Sequence, residues 1–395
     1  MKKQLSLIAL LLTGAMVFAS CGTKPAGETD SSNDSSESAE STAKSENLDN
    51  FDAVFTSDAP REVKDFEGHF KALGRTSFAE YGQNVDYPGS GFSTIIETEG
   101  TNFMVTYAVE KKVYFASFID GEEGERFEVQ GKGTMNIQVP AGTHEVTLVR
   151  DGETKEGAQS ILTKIAFDGS IVGIPEDKDL FIEVIGDSIV SGNGTLTTDN
   201  SPGVTWQASD NSATHAFGWM TAKELNADVS IIGRGSIGMV KQVQDAEGKG
   251  FAMPDLYKYA TGLSTFTREE FDFSSARVPD IVILEVSTND RSTVSGMDFE
   301  AAAKKFLPEI RTLYGKDMPI VWVYDLMIED QHKTELLKVV EDLGGEAKGF
   351  YSLQLVPGQD GGRGTAEGSC HPSYENHKVN TDLIVNFLKE KGLAK

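Results

Sequence analysis

Cysteine is almost absent from this chain, which limits how its fold can be stabilised. Only two cysteines, Cys21 and Cys370, occur among 395 residues. The sequence before Cys21 predicts that this residue carries a lipid, and the single remaining thiol then has no partner for an intramolecular disulfide. Stability must therefore come from buried apolar cores.

Positive charge is also scarce. Lys and Arg number 36 against 61 Asp and Glu, which gives a formal net charge of −25. A surface of this sign repels nucleic acids and other polyanions, so the charge argues against both as ligands. Neutral ligands such as sugars are compatible with it, although solubility alone would also explain an acidic surface.

Long apolar runs are confined to the amino terminus. Two lysines precede an apolar stretch over residues 5–18 that is too short to span a bilayer comfortably. Phe18-Ala-Ser-Cys21 then approaches a bacterial lipobox, in which the cysteine is acylated after cleavage. We therefore predict a lipoprotein signal peptide over residues 1–20 and lipidation of Cys21, which places the protein at the cell surface or cell envelope. An ordinary secretory signal cleaved near Ala19 is the alternative.

The next segment, residues 21–50, consists largely of Ser, Thr, Glu and Asp with almost no large apolar side chain. It cannot bury enough surface to offset the entropy of ordering, so a disordered acidic linker is predicted. Such a spacer would hold the rest of the chain away from the membrane.

The remaining length suits two domains. Residues 51–178 contain short, partly alternating apolar runs separated by turn dipeptides, which is typical of an all-β sandwich. The strand-like runs are 102–109, 113–119 and 144–150, and the turns are Asp120-Gly121, Ala141-Gly142, Asp151-Gly152 and Asp168-Gly169.

Residues 179–395 alternate strand-like and helical segments, which predicts a mostly parallel α/β sheet with helices on both faces. The strands are predicted over 180–185, 228–232, 280–284, 319–324 and 349–355, and the helices over 297–314, 334–343 and 372–391. The histidines lack metal-ligand spacing, so we expect no metal, and we expect no cofactor.

Ser188 lies on a sharp turn directly after the first of these strands. The run over 180–185 is apolar and β-branched, and it breaks at Gly186-Asp187 just before Ser188. Open α/β sheets hold their ligands at the carboxyl ends of such strands. A serine here could equally cap a helix, so Gly-Asp-Ser alone is a weak signal.

Three other segments supply what acyl transfer by a serine requires, namely a base and donors for the oxyanion. His371, in a loop before the last helical stretch, is the candidate base. Asn289 follows the strand over 280–284, and the glycine loop Gly233–Gly238 follows the strand over 228–232. All lie at carboxyl ends of strands or in nearby loops, so we expect them to converge on one edge of the sheet.

This ordered set resembles the SGNH or GDSL-type hydrolase superfamily. Within it the chain is most similar to carbohydrate esterase family 2, whose members remove acetyl groups from plant polysaccharides such as xylan. The matching pieces are Phe181–Ser188, the glycine loop, Met253–Tyr257, Phe271–Ser274, Ser287–Asp290 and His371–Ser373. The resemblance implies a five-stranded flavodoxin-like hydrolase domain over 179–395, preceded by a jelly-roll sandwich over 51–178.

The resemblance also implies the roles of the site residues. Ser188 would be the nucleophile and His371 its general base. The oxyanion hole would combine the backbone N–H of Ser188, that of a loop glycine, and the side-chain amide of Asn289. Gly238 is the predicted glycine, and Gly235 is the alternative.

The chain departs from the family pattern at two points. Ser287 stands where the third block usually has glycine. No aspartate occupies either usual position before His371, which are Gly368 and Ser369, and a neutral imidazole needs an acceptor to fix its tautomer. Members of the family use a backbone carbonyl in that role, so the resemblance implies a Ser-His dyad. Glu367 is the alternative acceptor.

We therefore expect an exported serine esterase that removes O-acetyl groups from polysaccharides through an acyl-serine intermediate. Its partner would be an acetylated polysaccharide or oligosaccharide, with membrane contact only through the lipid. The alternative is a polysaccharide-binding lipoprotein with a vestigial hydrolase site. Among nearby residues, Asp187 and Asp290 are expected to brace their loops, and His215 to cap or pack.

Overall fold

The computed structural model describes residues 54–55, 60–63, 68–79, 82–153, 159–197, 207–241, 251–261, 269–290, 294–327, 330–357 and 371–395. The predicted signal peptide, Cys21, the linker and residues 367–370 lie outside this part of the chain. In the described part, no helix combines the length and the apolar character needed to cross a membrane.

An antiparallel sheet occupies the first half of the described chain. Its strands are β1 (Val54–Phe55), β2 (Arg61–Glu62), β3 (Lys71–Leu73), β4 (Ser77–Ala79), β5 (Gly82–Asn84), β6 (Gly91–Ile119), β7 (Glu122–Arg150), β8 (Ser160–Ala166) and β9 (Gly169–Gly173). The predicted turn at Asp120-Gly121 is confirmed as the tip of the long β6–β7 hairpin. Phe115, near the end of β6, pairs with both Phe127 and Arg150, so the sheet curls on itself.

One predicted turn in this sheet is wrong. Ala141 and Gly142 continue β7 and pair with Glu99 and Thr98 of β6. Gly142 has a φ of 134°, which a residue with a side chain rarely adopts. The glycine therefore changes the backbone direction inside the strand without ending it.

A parallel sheet follows, with two short strands beside it. The strands are β10 (Leu180–Gly186), β11 (Ala227–Gly233), β12 (Tyr259–Thr261), β13 (Glu269–Glu270), β14 (Ile281–Glu285), β15 (Ile320–Tyr324) and β16 (Phe350–Gln354). The parallel sheet has the order β11-β10-β14-β15-β16, and β12 pairs with β13 as a separate antiparallel ribbon. This is the strand order of flavodoxin-like folds, and the five predicted strands are confirmed to within one residue at each end.

Helices cover both faces of the parallel sheet, as predicted. They are α1 (Phe217–Glu224), α2 (Met253–Leu256), α3 (Gly296–Tyr314), α4 (Lys333–Asp342) and α5 (Tyr374–Glu390), with 3₁₀ turns at Ala208–Asp210, Thr288–Asp290 and Gly345–Lys348. Phe299 of α3 and Leu336 of α4 pack with Trp322 on one face. Phe217 of α1 and Ile384 of α5 pack on the other face. The central strands are largely apolar because both of their faces are buried.

A buried ion pair joins the two sheets. Arg75, between β3 and β4, bonds to Glu183 of β10 at 3.2 Å, and each is only 1% exposed. The Arg75 guanidinium also donates to the carbonyl of Tyr257. Hydroxyl groups of Tyr257 and Tyr314 donate to the Glu183 carboxylate. The charges are therefore satisfied inside the protein, as buried charges must be.

Removing one member of this pair should destabilise the fold strongly. The substitution Arg75→Met leaves the Glu183 carboxylate buried without its cation, and we expect the free energy of unfolding to fall by about 3–5 kcal/mol. Urea unfolding followed by circular dichroism measures this loss. The double variant R75M/E183Q should recover part of it, because the uncompensated charge is gone. A loss below about 1 kcal/mol in R75M, the size typical of an exposed pair, would contradict the assignment.

Candidate active site

The turn after β10 is tight because glycine occupies its first position. Gly186 pairs with Gly233 of β11 on one side and Glu285 of β14 on the other. A Cβ on Gly186 would lie 2.2 Å from Val190 Cγ2, which is too close for any side chain. The chain can therefore leave the sheet directly at Gly186 and expose Ser188 at the carboxyl edge. The solvent-exposed fraction of Ser188 is 9%, whereas the residues on either side of it are fully buried.

His371 lies beside this serine, although 183 positions separate the two in the chain. His371 Nε2 is 2.7 Å from Ser188 Oγ. Ser373 caps α5 by accepting a hydrogen bond from the Asn376 N–H, and the Tyr374 N–H donates to the Thr195 carbonyl. These two bonds hold the segment that carries His371 against the loop that follows Ser188.

The imidazole of His371 is kept neutral by its surroundings. Burial lowers the pKa of His371 to about 4, because the charged form loses hydration. A neutral ring can accept the Ser188 proton at Nε2 when its own proton is on Nδ1. The acceptor of the hydrogen bond from Nδ1–H stays a prediction, because Glu367 and the residues next to it lie outside the described chain.

Asp187 braces the turn, as predicted, and also reaches a second loop. Its carboxylate accepts from the Ile189 N–H at 2.8 Å through Oδ1 and from Asn289 Nδ2 at 2.7 Å through Oδ2. Asn289 lies in the 3₁₀ turn after β14. The structure thus brings Ser188, His371 and Asn289 to one edge of the sheet, where the sequence places them.

Asn289 is held by two acceptors. Besides Asp187, its Nδ2 donates to the carbonyl of Ile237 at 2.9 Å. Both amide hydrogens therefore have protein partners, and an oxyanion would have to share or replace one of them. The role of Asn289 in the oxyanion hole stays a prediction.

The glycine loop is arranged differently from our expectation. The Gly238 N–H donates to the Lys241 carbonyl at 2.8 Å, which counts against its predicted oxyanion role. Glycine is needed at this position for another reason. A Cβ there would lie 2.6 Å from the Asp290 carboxylate. Asp290 accepts from the N–H groups of Met239 and Val240 in this space, so it braces the loop.

Gly235 is the better candidate for the loop donor. Within the described chain, its N–H makes no hydrogen bond to a backbone carbonyl. It lies two residues after Gly233, which closes β11 next to Gly186. We therefore prefer Gly235 to Gly238, and its role stays a prediction.

One residue of this region was missed from the sequence. Glu285 ends β14, is 2% exposed, and has its carboxyl group beside Asp187. The signal was present, because a carboxyl side chain follows the apolar run Ile281–Leu284 where a buried strand should continue.

His215 serves packing, as expected. His215 contacts the hydroxyl of Ser212 at 2.8 Å and the Tyr374 ring edge-on, with centroids 5.2 Å apart. Trp322 and Tyr87 are fully buried. In the described chain, no three His, Cys, Asp or Glu side chains cluster as a metal site.

Comparisons with known proteins agree with this architecture. Residues 72–175 match the family model of the carbohydrate esterase 2 N-terminal domain. The comparison with curated proteins gave no match. A family two carbohydrate esterase from Clostridium thermocellum, in complex with cellohexaose, is similar with 23% identity and a TM-score of 0.71, covering 82% of this chain and 99% of that chain.

Two further solved structures are similar. The acetyl xylan esterase Est2A from the rumen bacterium Butyrivibrio proteoclasticus has 21% identity and a TM-score of 0.70, covering 85% of this chain and all (100%) of that one. A family two carbohydrate esterase from Cellvibrio japonicus has 18% identity and a TM-score of 0.72, covering 84% and 97% of the two chains. The predicted resemblance to carbohydrate esterase family 2 is thus confirmed by the matching amino-terminal family model and by a shared fold.

Proposed function

We propose that this protein is a serine esterase that removes O-acetyl groups from polysaccharides. The observation that carries the proposal is the 2.7 Å contact between Ser188 Oγ and His371 Nε2 at the carboxyl edge of the parallel sheet. A hydroxyl beside a neutral imidazole is the arrangement that activates serine as a nucleophile. The similarity to family two carbohydrate esterases supports an ester of a sugar as the substrate.

The proposed reaction has two halves. Ser188 Oγ attacks the acetyl carbonyl while His371 Nε2 takes its proton, and the negative oxygen is stabilised by the N–H groups of Ser188 and Gly235 and by Asn289. The intermediate then expels the sugar oxygen, which receives the proton from His371. His371 next takes a proton from water, the hydroxide attacks the acetyl-serine, and acetate leaves as Ser188 regains its proton.

The rest of the chain is proposed to serve this reaction at the cell surface. The antiparallel sheet would be a jelly-roll module over 51–178, followed by the hydrolase domain over 179–395. The signal peptide, lipidation of Cys21 and the acidic linker would export the enzyme and tether it to the envelope. A net charge of −25 favours a neutral glycan over a polyanion.

Loss of the serine hydroxyl should abolish turnover. The substitution Ser188→Ala removes the nucleophile, and we expect kcat for a chromogenic acetate ester to fall by at least about a thousandfold. The exposed Ser209→Ala is the matched control and should hydrolyse the ester at the wild-type rate. Turnover retained in S188A would contradict the assignment of Ser188 as the nucleophile.

The acid limb of the pH profile should reflect the low pKa of His371. Burial disfavours its cation, so the neutral base persists until the pH falls to about 4. We expect kcat/KM to be level from neutral pH down to about 5 and then to fall about tenfold per pH unit below 4. Stopped assays on an acetate ester measure the profile. An acid limb near the ordinary histidine value of about 6.5 would contradict the described burial.

A polymeric substrate separates catalysis from mere binding. We expect the purified protein to release acetate from acetylated xylan, and S188A to release none, because the ester bond is broken only through the serine. Free acetate is measured alongside affinity electrophoresis on the same polymer. Retardation by the polymer without acetate release would favour the binding lipoprotein instead.

A further inference from the structure

Two buried carboxyl groups lie at the carboxyl ends of the neighbouring strands β10 and β14, next to Ser188 in the chain or across the sheet. Asp187 is fully buried and Glu285 is 2% exposed. Gly186 and Glu285 are in register across β10 and β14, so Asp187 follows directly beside the end of β14. The Glu285 carboxyl faces both the carboxyl group and the backbone N–H of Asp187. Within the described chain, neither group has an ion-pair partner.

The pair cannot hold two negative charges in this position. Burial raises the pKa of both groups, and Asp187 raises that of Glu285 further, whereas the contact with the Glu285 carboxyl group lowers that of Asp187. The donors decide which group keeps the proton. Asp187 receives hydrogen bonds from the Ile189 N–H and Asn289, which favour its ionised form. Glu285 Oε2 has no donor facing it in the described chain, so the proton belongs on Glu285.

We propose that Glu285 is a positioning residue that acts through Asp187. In its protonated form it donates a hydrogen bond to the Asp187 carboxylate, which in turn holds the Ser188 turn and the Asn289 amide. This inference rests on the proposed esterase function. When Glu285 loses its proton, two adjacent carboxylates repel each other, Asp187 shifts, and Asn289 loses its alignment with Ser188.

The charged groups around the pair keep this proton in place. Asp330 raises the pKa of both Glu285 and Asp187, and Asp290 raises that of Asp187. Lys333 is bonded to Asp325 and is therefore already paired. The other ionisable groups on the elements packed here are Arg234 after β11, His332 before α4, and His371 beside Ser188.

The test compares a variant that cannot ionise with one that cannot hydrogen bond. Glu285→Gln keeps a donor for Asp187, and we expect kcat/KM at neutral pH within about threefold of the wild type. The wild type should lose activity at alkaline pH as Glu285 ionises, and E285Q should lose this alkaline limb. Glu285→Leu removes the hydrogen bond, and we expect kcat at neutral pH to fall at least about tenfold with little change in KM.

Glu128→Gln is the control, because Glu128 is an exposed glutamate of the antiparallel sheet that pairs with Lys112, and the substitution makes the same change of carboxyl to amide there. Its alkaline limb should remain that of the wild type. A wild-type alkaline limb that persists unchanged in E285Q would overturn the proposal, as would E285L with wild-type kcat.

A second measurement does not depend on turnover. An acid whose pKa is raised in the folded state binds its proton more tightly there, so stability falls as the pH rises above the ordinary unfolded value of about 4.3. The wild-type Tm should therefore fall between pH 5 and alkaline pH more steeply than that of E285Q. Asp187→Asn, which also removes the shared titration, should flatten the profile too. If the wild type has no esterase activity, the proposed function fails. The shared proton is tested independently of that result, and equal slopes of Tm against pH in all three proteins would contradict it.

Discussion

The buried carboxylate of Asp187 is the constraint on which the site depends. Gly186 lets the chain turn out of the sheet, and the carboxylate that follows is then placed where no water reaches it. It must be satisfied by N–H groups, which are those of Ile189 and Asn289. One charge thereby fixes the turn that bears Ser188 and the loop that bears Asn289.

Buried carboxyl groups recur through the protein, and each is satisfied in a different way. Glu183 pairs with Arg75 and two tyrosine hydroxyls and joins the two sheets. Asp290 relies on backbone N–H groups of the glycine loop. Glu285 has no cation beside it in the described chain and its Oε2 has no hydrogen-bond partner there, so we propose that it keeps its proton. The acidic composition is thus accommodated inside the fold by local chemistry rather than by surface exposure alone.

The sequence predicts the features that follow from local patterns. Apolar runs mark the five parallel strands to within one residue, and the break at Gly186-Asp187 marks the turn that carries Ser188. It does not predict contacts between distant positions, such as Arg75 with Glu183, because no periodicity encodes them. It also misleads where one residue type serves two purposes. Gly142 predicts a turn but continues a strand. Gly238 is predicted as an oxyanion donor, although its N–H donates to the Lys241 carbonyl.

The central claim is that the Ser188 hydroxyl is activated by His371. Covalent labelling with a fluorophosphonate, followed by peptide mass mapping, tests it most directly, since only an activated serine reacts at an appreciable rate. The account predicts modification of Ser188 alone in the wild type, and labelling slowed by at least about a hundredfold in His371→Ala. Labelling of another residue, or of Ser188 at the same rate without His371, would contradict it.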